Sequence, residues 1–441
     1  MKKATLLLLM SISALLLLAQ NPVWEWVKPV DSNIDWFMDL DEVGNIYVTG
    51  AFNSTMVFDD ITLTTNGKND IFLAKMSTDG NWLWAKQIGG PEGDSFSSLC
   101  LDKAGNIFLS GRFSGTVNFG DLQLTEDEKG DLFIAKMNAQ GNWLWAKQTG
   151  GNSNAYIRYL AADETGNLFV SGQFGAKATI GDSTLVSYAT NFISKLDEQG
   201  NWLWTKRIDS KSEIPHPVSV DRLGNLYLAG NFTGMVTIAD SLLGGSRGRC
   251  SFVAKLNPEG KLQWVARNAT EWGTIIWSIA ADAEGNSYIT GTGHGKLWFD
   301  DIYVKCGLID IIVAKVDPNG KWEWVRHSKD KDYAMSTSVC VDKDGNPFIS
   351  GTFENKTKLG SFKLKSQKGW DLVVAKLDKS GKWMWAELGK SAGFAEGHTI
   401  KADNEGNAVL IGQCKGEAEF GSIKLSGTDE EQAFIGKIRH R

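Results

Sequence analysis

One unit is written seven times along this chain. Its clearest copy runs from Asp102 to Gly150: D-K-A-G-N-I-F-L-S-G-R-F, then T-V-N-F-G-D-L-Q-L, then G-D-L-F-I-A-K-M, then G-N-W-L-W-A-K-Q-T-G. The Gly-Asn pair recurs with its asparagine at Asn45, Asn106, Asn167, Asn225, Asn286, Asn346 and Asn407, at spacings of 58 to 61 residues. A fixed period of this length marks a repeat architecture, because one short unit cannot bury its own apolar faces and must pack on its neighbours.

Within each unit the pattern is that of short strands. Ile107, Leu109 and Gly111 fall on one face and Phe108 and Ser110 on the other, with Gly, Asn and Asp at the breaks. After the N-terminal twenty residues no stretch holds a helical period. Four strands per sixty residues predict an all-β fold, a seven-bladed β-propeller. A solenoid could stack the same unit, but the chain ends argue for a ring. Six copies carry a Trp-x-Trp-like strand: Trp82/Trp84, Trp143/Trp145, Trp202/Trp204, Leu262/Trp264, Trp322/Trp324 and Trp383/Trp385. The seventh copy stops at A-F-I-G-K-I-R-H-R, while V-W-E-W-V-K stands near the start with Trp24 and Trp26. Residues 21–29 are therefore expected to supply the last strand of the seventh blade and leave no free sheet edge. The expected blades are 30–89, 90–150, 151–208, 209–267, 268–327, 328–388, and 389–441 plus 21–29, one domain despite its length.

Met1–Gln20 reads as a secretory signal peptide: Lys2 and Lys3, an apolar run, then the small residue Ala19. The expected location is periplasmic, cell-surface or secreted, as a monomer with no transmembrane segment after cleavage. The chain stops within the last blade, so no C-terminal sorting domain is expected. A formal net charge of −6 gives no electrostatic footprint for nucleic acid. Five cysteines without regular spacing are not a disulfide framework, and Cys100 and Cys340, at one repeat position, read as small core residues.

Catalytic patterns are sparse. The G-x-S-x-G match at 244–248 lies in a hairpin, not at the strand-to-helix elbow that exposes a nucleophilic serine. His216, His294, His327, His398 and His440 form no local zinc spacing, although distant residues can converge. The seven turn aspartates of D-x-x-G-N stand singly, short of the six to eight oxygens that calcium needs. No Gly-rich phosphate loop with its lysine occurs. No cofactor, metal or catalytic residue is expected.

Strand parity points to where binding can reside. If the D-x-x-G-N turns and the turns before Trp-x-Trp lie on one face, the hairpins within copies and the crossovers between copies share the other. The first set is uniform, while the crossovers vary: 91–95, 152–158, 209–216, 268–277 and 391–398 differ in length and chemistry. Variable loops on a rigid scaffold are where binding residues sit. Five residues before each turn aspartate, at the expected mouth of a central channel, the copies place Trp36, Ser97, Arg158, His216, Trp277, Thr337 and His398. Tyr159 stands beside them. Copies four and five also break the pattern, with Arg247 in L-G-G-S-R-G-R-C, with Glu271 and Trp272 in a crossover, and with Gly293-His294 where a phenylalanine is usual. The ligand-binding candidates are thus Trp36, Arg158, Tyr159, His216, Arg247, Glu271, Trp272, Trp277 and His398.

The D-x-x-G-N-x-[YF]-x-x-G-x-F signature resembles the SBBP β-propeller repeats of bacterial exported and cell-surface proteins, over the whole chain after the leader. That resemblance implies a secreted propeller scaffold and supplies no catalytic residues. The G-N-W-x-W element also looks like the repeats of quinoprotein dehydrogenase propellers. Those have eight blades, and this chain has seven and no vicinal cysteine pair. The function expected is an exported, non-catalytic scaffold that binds a protein or polysaccharide through the crossover face. The alternatives are an extracytoplasmic carbohydrate-active lyase or hydrolase with its site at the channel mouth, and a purely structural surface protein.

Overall fold

The computed structural model describes residues 22–441 apart from 31–35, 128–130, 152–154, 175–176, 182, 187–189, 210–216, 240, 245–248, 330–331, 428–429 and 440–441. The leader lies outside the described residues, as do the candidates His216 and Arg247. The described chain is all strand and turn, arranged as a seven-bladed propeller. No described helix is long and apolar enough to cross a membrane. The second blade shows the plan, from the axis outward: Ser95–Leu101, Ile107–Phe113, Asp131–Met137 and Trp143–Gly151, each antiparallel to the next.

The ring closes through the N-terminal strand. Val23–Val30 pairs with Glu431–Arg439 and becomes the outer strand of the seventh blade. Trp24, Val27 and Val30 are buried there, and Trp24 packs edge-on to Phe420 at 4.9 Å. The hairpin inside each copy adds a second seam. In four places it pairs with the end of the preceding blade's outer strand, as Gly150 and Gly151 do with Thr179 and Ala178. Sheets of six strands result, each shared between two copies.

Each Trp-x-Trp outer strand carries a bulge that skips its middle residue. Met76 faces Trp82 and Lys75 faces Trp84, leaving Leu83 out of the ladder and exposed. Met76 and Lys75 point to opposite faces, so the two indoles do as well. The first covers the hairpin of its own copy, with Trp82 on Phe58 at 4.7 Å and Trp143 on Phe119 at 5.0 Å. The second meets the next blade. Five of these indole N–H groups donate to a turn carbonyl of the neighbour: Trp26 to Thr78, Trp145 to Glu198, Trp204 to Pro258, Trp264 to Pro318 and Trp324 to Lys379, at 2.8–3.2 Å. The core accordingly consists of seven apolar layers among the described residues, each between two adjacent blades.

The D-x-x-G-N turn is held by its own aspartate. Asp102 accepts from the Asn106 backbone at 2.9 Å and side chain at 2.7 Å, while Gly105 takes a φ of 78° that other residues resist. The lysine of the third strand completes the unit. Lys136 lies 3.7 Å from Asp102 and 4.7 Å above the Phe108 ring, whose far neighbour is Trp145 at 6.2 Å. The repeated Asp, Lys and aromatic positions are thus one stack, and the aspartate oxygens are engaged by Asn106 and Lys136. At Asp342, burial pushes the carboxyl upward, but Asn346 and the Lys376 ammonium at 2.9 Å outweigh it and hold it below the usual range.

Two outcomes are expected. Removing residues 21–28 strips the buried Trp24 and Val27 and leaves the outer edge of Glu431–Arg439 open, its other edge still paired with Ala408–Lys415. At about 1.5–3 kcal/mol per buried side chain plus the lost ladder bonds, the loss rivals a whole domain's stability of about 5–15 kcal/mol. The truncated chain should aggregate or unfold at much lower temperature in a thermal scan. Asp342→Asn should cost roughly 3 kcal/mol at pH 7, because Lys376 is left buried without its partner. The carboxylate's contribution exists above the unfolded pKa of about 3.9 and fades as pH falls through the lower folded value. Urea unfolding at pH 7 and pH 3 should therefore show the gap between wild type and variant closing in acid.

Candidate functional site

The first strands of all seven blades surround a channel of 710 Å³. They are Phe37–Leu40, Ser95–Leu101, Tyr156–Ala162, Val218–Val220, Gly273–Ala281, Ala334–Val341 and Phe394–Ala402. Side chains stitch neighbouring strands together across the wall. The Ser98, Ser219, Ser278 and Ser338 hydroxyls accept from the backbone N–H groups of Leu160, Ala281, Val339 and Ile400, and Asp39 accepts from Leu101 at 2.9 Å.

The position five residues before the turn aspartate is a β-bulge in five blades. The ladder skips Ser97, Arg158, Trp277, Thr337 and His398, and all five line the channel. A bulged residue leaves its pleat, so its side chain is re-aimed and its identity is freed from the two-residue period. The facing glycine of the second strand makes the bulge possible. A Cβ built on Gly111, Gly172, Gly291, Gly351 or Gly412 would lie 1.9–2.4 Å from the backbone oxygen of Ser95, Tyr156, Ile275, Met335 or Glu396. The Gly of the G-x-F motif therefore exists to admit the bulged backbone. That glycine was the sequence signal for the bulges.

The candidates divide into three groups. Arg158 and Tyr159, Trp277 and His398 line the channel from the third, fifth and seventh blades, and Arg158 is exposed. His398 Nε2 lies 3.6 Å from Glu396, and the Thr337 hydroxyl donates to the Gly397 carbonyl at 2.5 Å. Trp36 differs from its counterparts: it is 3% exposed and packs edge-on to Phe72 at 4.7 Å. The first described strand of its blade starts at Phe37, and a Cβ on Gly50 would meet the Phe72 ring first and then Trp36 Cδ1 at 3.3 Å. Trp36 joins the channel lining from within a core layer. Glu271 and Trp272 lie away from the channel. Glu271 pairs with Lys296 at 3.4 Å, and Trp272, 64% exposed, leans edge-on to His294 at 4.7 Å.

Asp39 is the one carboxylate among the described channel-lining residues, and Lys401 holds it at 2.9 Å. Burial pushes the Lys401 ammonium down, but Asp39 outweighs it and holds the group above the usual lysine range. Burial raises other carboxyls, Asp94 to about 6 and Glu387 to about 7, yet neither lines the channel. Sequence reasoning missed the Asp39–Lys401 pair and the serine seam, because partners in different blades share no local spacing.

No family model matches the chain. It is 26% identical over 207 residues to an uncharacterized WD repeat-containing protein of Acanthamoeba polyphaga mimivirus, and 26% identical over 192 residues to the regulatory protein FlaEY of Caulobacter vibrioides. Each match covers 38% of this chain, and 15% and 20% of those relatives. Among solved structures it is similar to a protein of unknown function from Bacteroides caccae, at 14% identity and TM-score 0.37, covering 71% of this chain and 89% of that one. It is also similar to a puromycin hydrolase mutant at 10% identity and TM-score 0.47, over 93% of this chain and 58% of that one. Rhamnogalacturonan lyase YesW follows at 8% identity and TM-score 0.31, over 93% and 90%. Likeness at this level carries no activity across.

The bulge mechanism makes a specific demand. Gly172→Ala must push Tyr156 off Gly172 and flatten the bulge at Arg158, at a cost of about 1–3 kcal/mol. Ser171→Ala, next to it in the same strand, should leave the Arg158 loop unchanged. The check is hydrogen exchange of the Tyr156–Ala162 strand, which should rise in the first variant and not in the second.

Proposed function

We propose that this chain is an exported, non-catalytic scaffold that binds a protein or glycan through the face bearing its inter-blade crossovers, at the mouth of the central channel. One observation carries the reading. The bulges bring Arg158, Trp277 and His398, a cation, an indole and an imidazole, into the lining of one 710 Å³ channel at a repeat position where other copies carry Ser97 and Thr337. Aromatic faces with a few convergent polar groups are the usual make-up of a recognition site. The channel's one described carboxylate is already held by Lys401, which favours recognition over paired-carboxylate chemistry. Export rests on the basic and apolar leader, and the resemblance to SBBP repeats agrees with a surface or secreted scaffold.

The test is crosslinking capture from envelope and medium fractions, run beside a panel of neutral and acidic polysaccharides. Arg158→Ala, Trp277→Ala and His398→Ala are combined in one variant whose fold is checked by near-ultraviolet circular dichroism. A partner bound by wild type and held at least roughly tenfold more weakly by the variant, or about 1.4 kcal/mol, supports the reading. Equal capture by both moves the site away from the channel mouth. Shortening of a polysaccharide would instead make the mouth an active site of a carbohydrate-active enzyme.

A further inference from the structure

At the crossover end of the fifth blade, three side chains of different chemistry converge. Cys306 follows the hairpin strand Ile302–Lys305, Asp310 opens the third strand Asp310–Val316, and His327 closes the outer strand Trp322–His327. Their ligand atoms lie within 4.8 Å of one another. Asp310 and Cys306 are buried, and the His327 side chain is 15% exposed.

The other blades show what this spot ordinarily does. In the first blade Asp70 and Gln87, seventeen residues apart, occupy the positions of Asp310 and His327, and Thr65, which follows the hairpin strand Ile61–Thr64, occupies that of Cys306; the loop before the aspartate is one residue shorter in the fifth blade. In the first blade the Asn66 backbone donates to Asp70 at 2.8 Å, and the Gln87 amide donates to the same carboxylate. The second blade repeats the arrangement with Asp127, Asp131 and Gln148. The aspartate is thus a structural acceptor that ties the hairpin end to the third and outer strands. The fifth blade keeps that frame: Gly307 donates to Asp310 at 3.1 Å, and His327 Nδ1 lies 2.8 Å from its other oxygen. A thiol stands where the first blade has the Thr65 side chain, and an imidazole where it has the Gln87 amide.

We infer that Cys306, Asp310 and His327 form a binding site for a zinc-class divalent cation, with water as the fourth ligand. Sulfur, imidazole nitrogen and carboxylate oxygen are the donor types of such sites. A thiolate and a carboxylate neutralise the two positive charges, the thiol proton passing to solvent as the ion binds. Ligand atoms around a tetrahedral zinc lie about 3.5 Å apart, so the Asp310–His327 pair at 2.8 Å opens slightly while any wider pair of the trio, none beyond 4.8 Å, closes to hold it. The alternative, a Cys-His-Asp nucleophile, needs the imidazole between thiol and carboxylate. Here Asp310 is in the middle, in contact with both the Cys306 thiol and His327. The ion clips the hairpin to both strands on the face that carries Trp272 and His294. Local histidine spacing gave no sign of it, because its members come from three separate elements.

The experiment uses the full-length chain, stripped of metal by a chelator and titrated with Co²⁺ and then Zn²⁺. The expected result is one equivalent of Co²⁺ with a thiolate-to-cobalt charge-transfer band, its displacement by Zn²⁺, and a Zn²⁺-dependent rise in melting temperature. C306T and H327Q each restore the residue of the first blade, so both should fold, and both should lose the band and the Zn²⁺-dependent rise. C306S serves if C306T fails to fold. The other four cysteines remain in every variant, so a band or a melting shift that persists at full strength overturns the assignment. So does a folded wild-type chain that gives no band.

Discussion

The contact on which this molecule depends is that between an outer-strand tryptophan and the next blade. Each blade is apolar on both faces and has no core of its own. Its stability comes from the layer it shares with each neighbour, and the indole that donates to the neighbour's turn carbonyl sets that layer's register. The bulge inside Trp-x-Trp matters for this reason, since it turns one indole toward the blade's own hairpin and the other toward the next blade. A ring of such layers has no weak end only if the last joins the first. That is the work of Val23–Val30 in the seventh blade.

The same device, one residue taken out of the ladder, appears at the axis with the opposite purpose. In the outer strand it fixes two identical side chains in place. In the first strand it releases a position from the pattern, and there the copies differ most. A glycine in the second strand accommodates the displaced backbone, so the bulge is built into the repeat while its side chain is left free to vary. The repeat supplies rigidity and the bulge supplies chemistry. In the first blade the same position holds Trp36, buried against Phe72 beside Gly50, so the position also serves core packing.

The fifth blade extends this logic outward. The hydrogen-bonded aspartate at the head of the third strand is common scaffold in several blades, and in the fifth a loop one residue shorter and two exchanged side chains give a cluster with metal-donor chemistry while the aspartate keeps its backbone bond. Channel mouth and cluster alike arise where a repeat position keeps its geometry and changes its side chain.

The seven Gly-Asn pairs, the period near sixty and the displaced Trp-x-Trp strand determined the architecture, including the closure. Those features are local in sequence and each copy checks the others. The two faces followed from strand parity alone. What the tertiary structure decided is which varied side chains meet. Arg158, Trp277 and His398 come from three blades and converge only because the ring brings their bulges to one axis. Trp36, at the same repeat position, also lines the channel, with its indole buried against Phe72. The Asp39–Lys401 pair joins residues from opposite ends of the chain. Periodicity records the energy that every blade shares, which is burial between neighbours. Contacts made once, across blades, leave no period to read.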